Sequence, residues 1–160
     1  MCIRDRFKVW IETGTLKEEH FPVIDKRQEQ LKLPSDLGRI TTSVTSNYKM
    51  MKADEWKHWV MVYSMYCLYG VLSQRDLNIW SLFVRGCHLI CRPVVSSADV
   101  QKAHELFEFF GKQFESRYGS QYLVPNMHML LHIKECIIDF GPVYSFWCFG
   151  FERFVQRDCF

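Results

Sequence analysis

The sequence predicts an all-α protein, and three observations lead to this prediction. Apolar residues recur at spacings of three and four through most of residues 52–156, the period of helices with one buried face. Ser, Gly and Pro stand where such helices would begin and end. No stretch combines sustained alternation of polarity with β-branched residues and hairpin turns. We therefore expect a helical bundle.

Composition narrows the class of protein. At 160 residues, with 48% hydrophobic and 16% aromatic residues, the chain is expected to form one folded domain rather than a disordered segment. The net charge of +2 does not by itself imply nucleic-acid binding, although a local phosphate-binding patch would be invisible in the composition. Seven scattered cysteines, mostly within apolar runs, are typical of reduced, buried thiols in an intracellular protein. Neither a membrane-spanning run nor a signal peptide is predicted.

The first part of the chain is expected to hold short helices and a connector. Residues 1–6 (MCIRDR) match a spurious translation of adapter sequence, so we predict that they are non-native. In residues 7–49, Thr15 should cap a short helix ending near Glu19, because Glu18 completes a capping box. A charged run over residues 23–33 follows. Residues 34–49, which are rich in Ser and Thr, should form an extended connector.

Residues 50–160 should form the helical body. A first helix begins at Lys52 and weakens at Gly70, and a second is capped by Ser73 and stopped by Pro93. A third runs from its cap at Ser97 to Arg117. The predicted inward positions of these three helices are Trp56, Trp59, Val60, Tyr63, Cys67 and Val71; Leu77, Trp80, Phe83, Val84, Cys87 and Ile90; and Val100, Ala103, Leu106, Phe107, Phe110 and Phe114.

Two further helices are predicted at residues 126–140 and 143–156, separated by Gly141 and Pro142. In the first of them, His128 and His132 stand four residues apart, so both imidazoles should share one helix face. Such a pair can supply two of the four ligands of a tetrahedral zinc site, or it can be two histidines that are satisfied by ordinary hydrogen bonds.

Two other candidate sites leave alternatives open. Cys87 and Cys91 have the same spacing of four and could supply the remaining zinc ligands, but their apolar surroundings favour buried thiols. Glu152 lies in an aromatic segment, where a carboxylate must be paired, protonated or bound to a metal. An ion pair with a nearby arginine or a solvent-facing position would also explain it.

Four segments resemble, in order and spacing, the C-terminal region of CACTA (En/Spm-like) DNA transposases. They are ADEWKHWVMVYS, IWSLFVRGCHLICR, FGKQFESRYG and VPNMHMLLHIKECIIDFGPVYSFWCFGFERF. The resemblance covers residues 33–154, and the last segment, from Pro125 onward, is its most specific part. It implies that the chain is a fragment: the helical insertion and C-terminal helix of a ribonuclease H-like core whose sheet lies upstream.

The resemblance also implies a chemistry. Transposases of this family are DDE enzymes, in which two Asp and a late Glu hold Mg²⁺ or Mn²⁺ for cleavage and transfer of DNA strands. Glu152 of FERF falls at the position of the late Glu. His128 and His132 fall at a His pair that would complete a structural Zn²⁺ site with an upstream CxxC. The implied partners are transposon DNA and the upstream part of the same transposase, and an oligomer is compatible with the resemblance. No membrane partner is implied, and the implied location is the nucleus.

The resemblance ends near Phe154. Family members usually continue after FER with an aromatic residue and then Asn-Gly, whereas Val155 and Gln156 follow here. Because the two Asp and the CxxC would lie upstream, the chain alone is expected to be catalytically inactive. The alternative, from a different class, is a domesticated helical protein-interaction module in which Glu152 only forms a structural ion pair.

Overall fold

The computed structural model describes residues 2–31 and 43–146, and these residues are mainly helical. Their backbone contains no β-strand, which confirms the predicted all-α class. None of the described helices is long and apolar enough to cross a membrane.

The N-terminal part is more helical than predicted. Helix α1 spans Cys2–Glu12, a single 3₁₀ turn spans Glu18–His20 and α2 spans Phe21–Gln30. The predicted cap at Thr15 is wrong. Leu16 is 1% exposed and its N–H donates to the Trp10 carbonyl at 2.8 Å, so this stretch folds back onto α1 instead of starting a helix. Pro22 lies in the first turn of α2, where its missing N–H is tolerated.

Residues 2–6, predicted to be non-native, form the first part of α1. Arg6 is 1% exposed, and its guanidinium carbon lies 3.9 Å from the ring centroid of Phe114. Phe7, also 1% exposed, packs against Trp59 with 5.9 Å between ring centroids. The helix that contains this segment therefore belongs to the core, while the foreign origin of residues 1–6 stays a prediction.

Part of the predicted extended connector is helical. Residues 32–42 lie outside the described residues, but α3 spans Val44–Asn47 and is capped by the Ser43 hydroxyl, which accepts from the Ser46 N–H at 3.2 Å. The Ser43 and Thr45 hydroxyls both donate to the Asp25 carboxylate, at 2.8 and 2.6 Å. Val44 is fully buried. These side-chain bonds fasten α3 to α2.

A π-helical turn interrupts the first predicted body helix. Helix α4 spans Ala53–His58, the π turn spans Trp59–Tyr63 and α5 spans Ser64–Leu68. The buried residues form two rows spaced by four, namely Trp56, Val60, Ser64 and Leu68, and Trp59, Tyr63 and Cys67. In a regular α-helix each step of four overshoots one turn by about 40°. The wider π turn offsets this drift and keeps both rows facing the core.

The two longest helices form an antiparallel hairpin. Helix α6 spans Gln74–Ile90 and α7 spans Ser97–Tyr118, and they pack along their length. The Ser73 cap is confirmed, whereas α7 is capped by Ser96 instead of Ser97 because Ser96 and Asp99 form a reciprocal capping box. All predicted inward positions of α7 are buried, as are those of α6 except the half-buried Cys87. Val71, predicted to face inward before α6, is half-buried.

Close packing of the hairpin depends on Gly86. A Cβ at this position would lie 2.8 Å from Cζ and 2.9 Å from Cδ1 of Phe107, whose side chain is 2% exposed. Gly86→Ala is therefore expected to lower the free energy of unfolding by about 1–2 kcal/mol, because overpacking outweighs the helix propensity gained. The measurement is urea denaturation followed by circular dichroism.

Gly111→Ala is the matched control, since a Cβ at Gly111 in α7 would meet nothing within 4 Å. Only the gain in helix propensity acts there, so the free energy of unfolding of this variant should rise by up to about 1 kcal/mol. If both alanine variants gained stability, the close contact at Gly86 would be contradicted.

The C-terminal helices depart from the predicted pair. Helix α8 spans Pro125–Leu131 and α9 spans Ile133–Phe140. The predicted single helix is interrupted at His132, whose N–H donates to the Met129 carbonyl in a tightened turn. The helix predicted at residues 143–156 begins only as a 3₁₀ turn, Val143–Ser145, and Phe146 leaves the helical conformation with φ −129°. Residues 147–156 of that prediction lie outside the described residues.

Aromatic rings connect these helices into one core. Neighbouring centroids lie 4.6 to 6.3 Å apart along a run from α4 through α6 to the end of α7. The run consists of Trp56, Trp59, Trp80, Phe83, Phe110, Phe114 and Tyr118. The Trp80 indole N–H donates to the buried Ser64 hydroxyl at 3.0 Å, so a hydrogen bond also joins α6 to the first residue of α5. Many of the aromatic side chains of the described residues are thus part of the core.

Candidate functional site

The structure brings the two predicted histidines together. His128 lies in α8 and His132 lies at the junction with α9, and their Nε2 atoms are 3.2 Å apart. Their rings meet edge to face with centroids separated by 4.9 Å. Both side chains are solvent-accessible, and His132 Nδ1 lies 3.9 Å from a Glu135 carboxylate oxygen. The pair is therefore open to solvent and has an acidic neighbour on the other ring nitrogen of His132.

The spacing of the pair fits two corners of a zinc site. Zinc–nitrogen distances of about 2.0–2.1 Å and tetrahedral angles place two ligand nitrogens about 3.3 Å apart. A carboxylate near the second ring nitrogen is the arrangement that orients metal-bound histidines. The described residues contain no group of three or more His, Cys, Asp or Glu placed to hold a metal ion. They thus supply two ligands, and a complete site needs others.

Cys87 and Cys91 do not join the histidines in such a group within the described part of the chain. Both are half-buried at the end of α6, and both carry reduced thiols. Burial raises the pKa of the Cys91 thiol, which disfavours the thiolate that zinc requires. The favoured interpretation from the sequence was buried thiols, and the structure shows both side chains half-buried instead.

Glu152, the predicted catalytic carboxylate and ligand of a divalent metal, lies outside the described residues. Its role stays a prediction.

His128 also lies at the edge of an apolar groove of about 430 Å³ between α7 and α8. Phe107 and Phe110 contribute to its floor, and Met127 and Leu130 contribute from α8. The histidine pair therefore stands beside a mainly apolar surface rather than within a polar cavity.

Sequence reasoning missed the strongest electrostatic feature of the described residues, at Asp76 in the first turn of α6. Its side chain is buried and accepts from Arg117 Nε at 2.8 Å, the Tyr118 hydroxyl at 2.7 Å and the Ser73 hydroxyl at 2.6 Å. A second Arg117 nitrogen donates at 3.2 Å. These bonds join the start of α6 to the end of α7. We call this group the Asp76 clamp.

The hydrogen bonds of the clamp favour the ionised form of the Asp76 carboxyl group. Burial acts to raise the pKa of Asp76, but the hydrogen bonds from Arg117, Ser73 and Tyr118 outweigh it and keep the pKa below its usual value. Burial and the bond to the carboxylate raise the pKa of the Tyr118 hydroxyl.

The one sequence signal for the clamp was the Ser73-x-x-Asp76 pattern, which is typical of a helix start but does not reveal the partners on α7.

Comparisons of the chain with protein-family models, with curated proteins and with solved structures gave no match.

Proposed function

We propose that this chain is the C-terminal region of a CACTA-type DDE transposase, which cleaves and transfers DNA strands as a complete enzyme. The observation that carries the proposal is the ordered resemblance of the four segments across residues 33–154, above all the block that begins at Pro125. The all-α fold supports it, because the helical insertion and C-terminal helix of such an enzyme contain no strands of their own.

Each candidate residue has a separate role in this proposal. Glu152 supplies the third carboxylate around Mg²⁺ or Mn²⁺, and the two Asp come from the upstream part of the transposase. Bound there, such metals would activate the attacking oxygen and stabilise the leaving oxygen. His128 and His132 hold one side of a structural Zn²⁺, and the upstream CxxC holds the other. The 3.2 Å separation of their Nε2 atoms supports this second role.

The division of roles predicts that catalysis needs both parts of the enzyme. The chain alone should not nick DNA carrying the element's ends, since one carboxylate cannot hold the metals that the reaction requires. Joined to the polypeptide encoded upstream in its gene, it should cleave that DNA when Mg²⁺ or Mn²⁺ is present. The measurement is strand cleavage on a labelled terminal fragment, with EDTA as the control.

Robust metal-dependent nicking by the chain alone would contradict this division. So would an upstream coding sequence that lacks two acidic motifs and a CxxC. In the proposed setting the protein acts in the nucleus, with transposon DNA as its substrate.

A non-catalytic interaction module is the second candidate, and a specific observation favours it. Met129, Ile138 and Phe140 are 57%, 68% and 66% exposed, the first on α8, which lines the groove beside His128, and the other two on α9. Exposed apolar side chains of this size often mark a surface that another protein covers. The two candidates differ in whether Glu152 is needed for activity of the complete protein.

A further inference from the structure

A second cleft lies on the outer side of the α6–α7 hairpin. Its volume is about 580 Å³, and we call it the basic cleft. It is lined by Arg75, Asn78, Ile79, Ser81, Leu82 and Arg85 of α6 and by Phe109 and Gln113 of α7. None of these lining residues was predicted from the sequence as a site residue.

The charged residues that line the basic cleft are both arginines. No carboxylate of the described residues lines it, and the single acid of α6, Asp76, is buried in the clamp with Arg117. Arg75 and Arg85 are exposed, and neither forms an ion pair with any described residue. Two guanidinium groups thus face solvent with no described acid in the cleft to neutralise them, so the cleft attracts anions.

Phe109 gives the basic cleft a flat apolar surface. Its side chain is 51% exposed, whereas Phe107, Phe110 and Phe114 on the same helix are at most 2% exposed. The amides of Asn78 and Gln113 line the same cleft and can both donate and accept hydrogen bonds. An exposed ring in one cleft with arginines and amides is suited to a ligand that carries both negative charge and a flat π surface.

The separation of the arginines indicates a polymer rather than a small anion. Ten residues of α-helix place the backbones of Arg75 and Arg85 about 15 Å apart along the axis. Successive phosphates of a phosphodiester chain can reach both guanidinium groups at this backbone spacing. Single-stranded nucleic acid also presents unpaired bases, which stack on exposed aromatic rings.

We propose that the basic cleft binds a short segment of single-stranded nucleic acid. Arg75 and Arg85 contact its phosphates, Phe109 stacks against a base, and Asn78 and Gln113 contact polar groups between them. The chain's small net charge of +2 is compatible with this local site, because two cations share a cleft that no described acid lines. The site does not depend on Glu152 or on a catalytic metal.

The test is fluorescence anisotropy with a labelled oligonucleotide of about 12 nucleotides, within the range that single-strand binding sites cover. EDTA is included, so binding is measured in the absence of any cleavage and its outcome is separate from that of the proposed function. Arg75→Gln with Arg85→Gln should weaken binding about tenfold or more. It should also reduce the slope of log affinity against log salt by about 1.4, which is about 0.7 for each phosphate that is no longer neutralised.

Phe109→Ala should also weaken binding, by about tenfold, as expected when one base no longer stacks, while leaving the salt slope unchanged. The matched control is Arg4→Gln with Lys26→Gln, which removes the same charge from exposed positions on α1 and α2. This control should retain nearly all binding. Because all the changed side chains are exposed, circular dichroism should show unchanged helicity in each variant.

Three results would overturn the proposal. Equally weakened binding in the control would indicate general charge attraction rather than a site. Duplex DNA binding as tightly, without sensitivity to Phe109→Ala, would exclude a single-stranded ligand. Displacement of the oligonucleotide by polyglutamate at equal charge concentration would indicate an acidic-peptide site instead.

Discussion

In the proposed complete transposase, Glu152→Gln is expected to reduce DNA strand cleavage by about 10³-fold, equivalent to about 4 kcal/mol of transition-state stabilisation. The amide keeps nearly the same size but loses the negative charge that holds a divalent metal. Binding of the transposon ends should change little, because the effect falls on the chemical step. The measurement is single-turnover cleavage at saturating Mg²⁺, with DNA binding assayed in parallel.

Glu29→Gln serves as the control for this variant, since Glu29 is an exposed carboxylate on α2. Its cleavage rate should equal that of the unaltered enzyme. Full activity of the Glu152→Gln enzyme would contradict the transposase proposal and would favour the interaction module. Loss of DNA binding together with cleavage would indicate instead that Glu152 has a structural role.

Asp76→Ala is expected to cause the largest decrease in stability, about 3 kcal/mol in the free energy of unfolding. The substitution removes four hydrogen bonds from a buried acceptor and leaves Arg117 and Tyr118 without their shared partner. It also removes the side-chain hydrogen bonds that join the start of α6 to the end of α7. Urea denaturation at neutral pH is the measurement, and Asp139→Ala is the control because that carboxylate is exposed on α9.

The pH dependence gives an independent check on the Asp76 clamp. Because the folded-state pKa of Asp76 is lowered, folding favours the ionised carboxylate, and its contribution is fully present above the unfolded pKa of about 3.9. The contribution falls as pH drops from there through the lowered folded-state pKa. The difference in stability between the original protein and Asp76→Ala should therefore narrow below about pH 4. A constant difference throughout that range would contradict the clamp.

The sequence predicted the fold where a periodic signal and a local signal agreed. In α7 the apolar spacing marks Val100, Phe107 and Phe114 as inward residues, and the helix ends at Gly119, whose φ of +98° suits glycine. A regular spacing does not, however, reveal a change of helix type. The apolar spacing around Trp56 and Trp59 predicts a helix. It does not predict the π turn, because the need for that turn arises from packing both rows of buried residues against the core.

Site prediction was limited by contacts between residues distant in the chain. The spacing of four correctly placed His128 beside His132, because a local turn brings such residues together. The partners of Asp76 lie 41 and 42 residues away, so the short pattern at Ser73 could not identify them. The apolar spacing leaves Phe109 out of the inward positions of α7, but its place in the basic cleft depends on how α6 and α7 pack, which the spacing does not reveal.

The Asp76 clamp has a consequence for recognition on the outer side of the hairpin. Arg75 precedes Asp76 directly, so the bonds that hold the first turn of α6 also fix the backbone that carries Arg75. The short connection between Ile90 and Ser97 ties the other end of the hairpin, beyond Arg85. Both arginines are therefore presented by a preorganised frame. A ligand of the basic cleft would order side chains but not backbone, which lowers the entropic cost of binding.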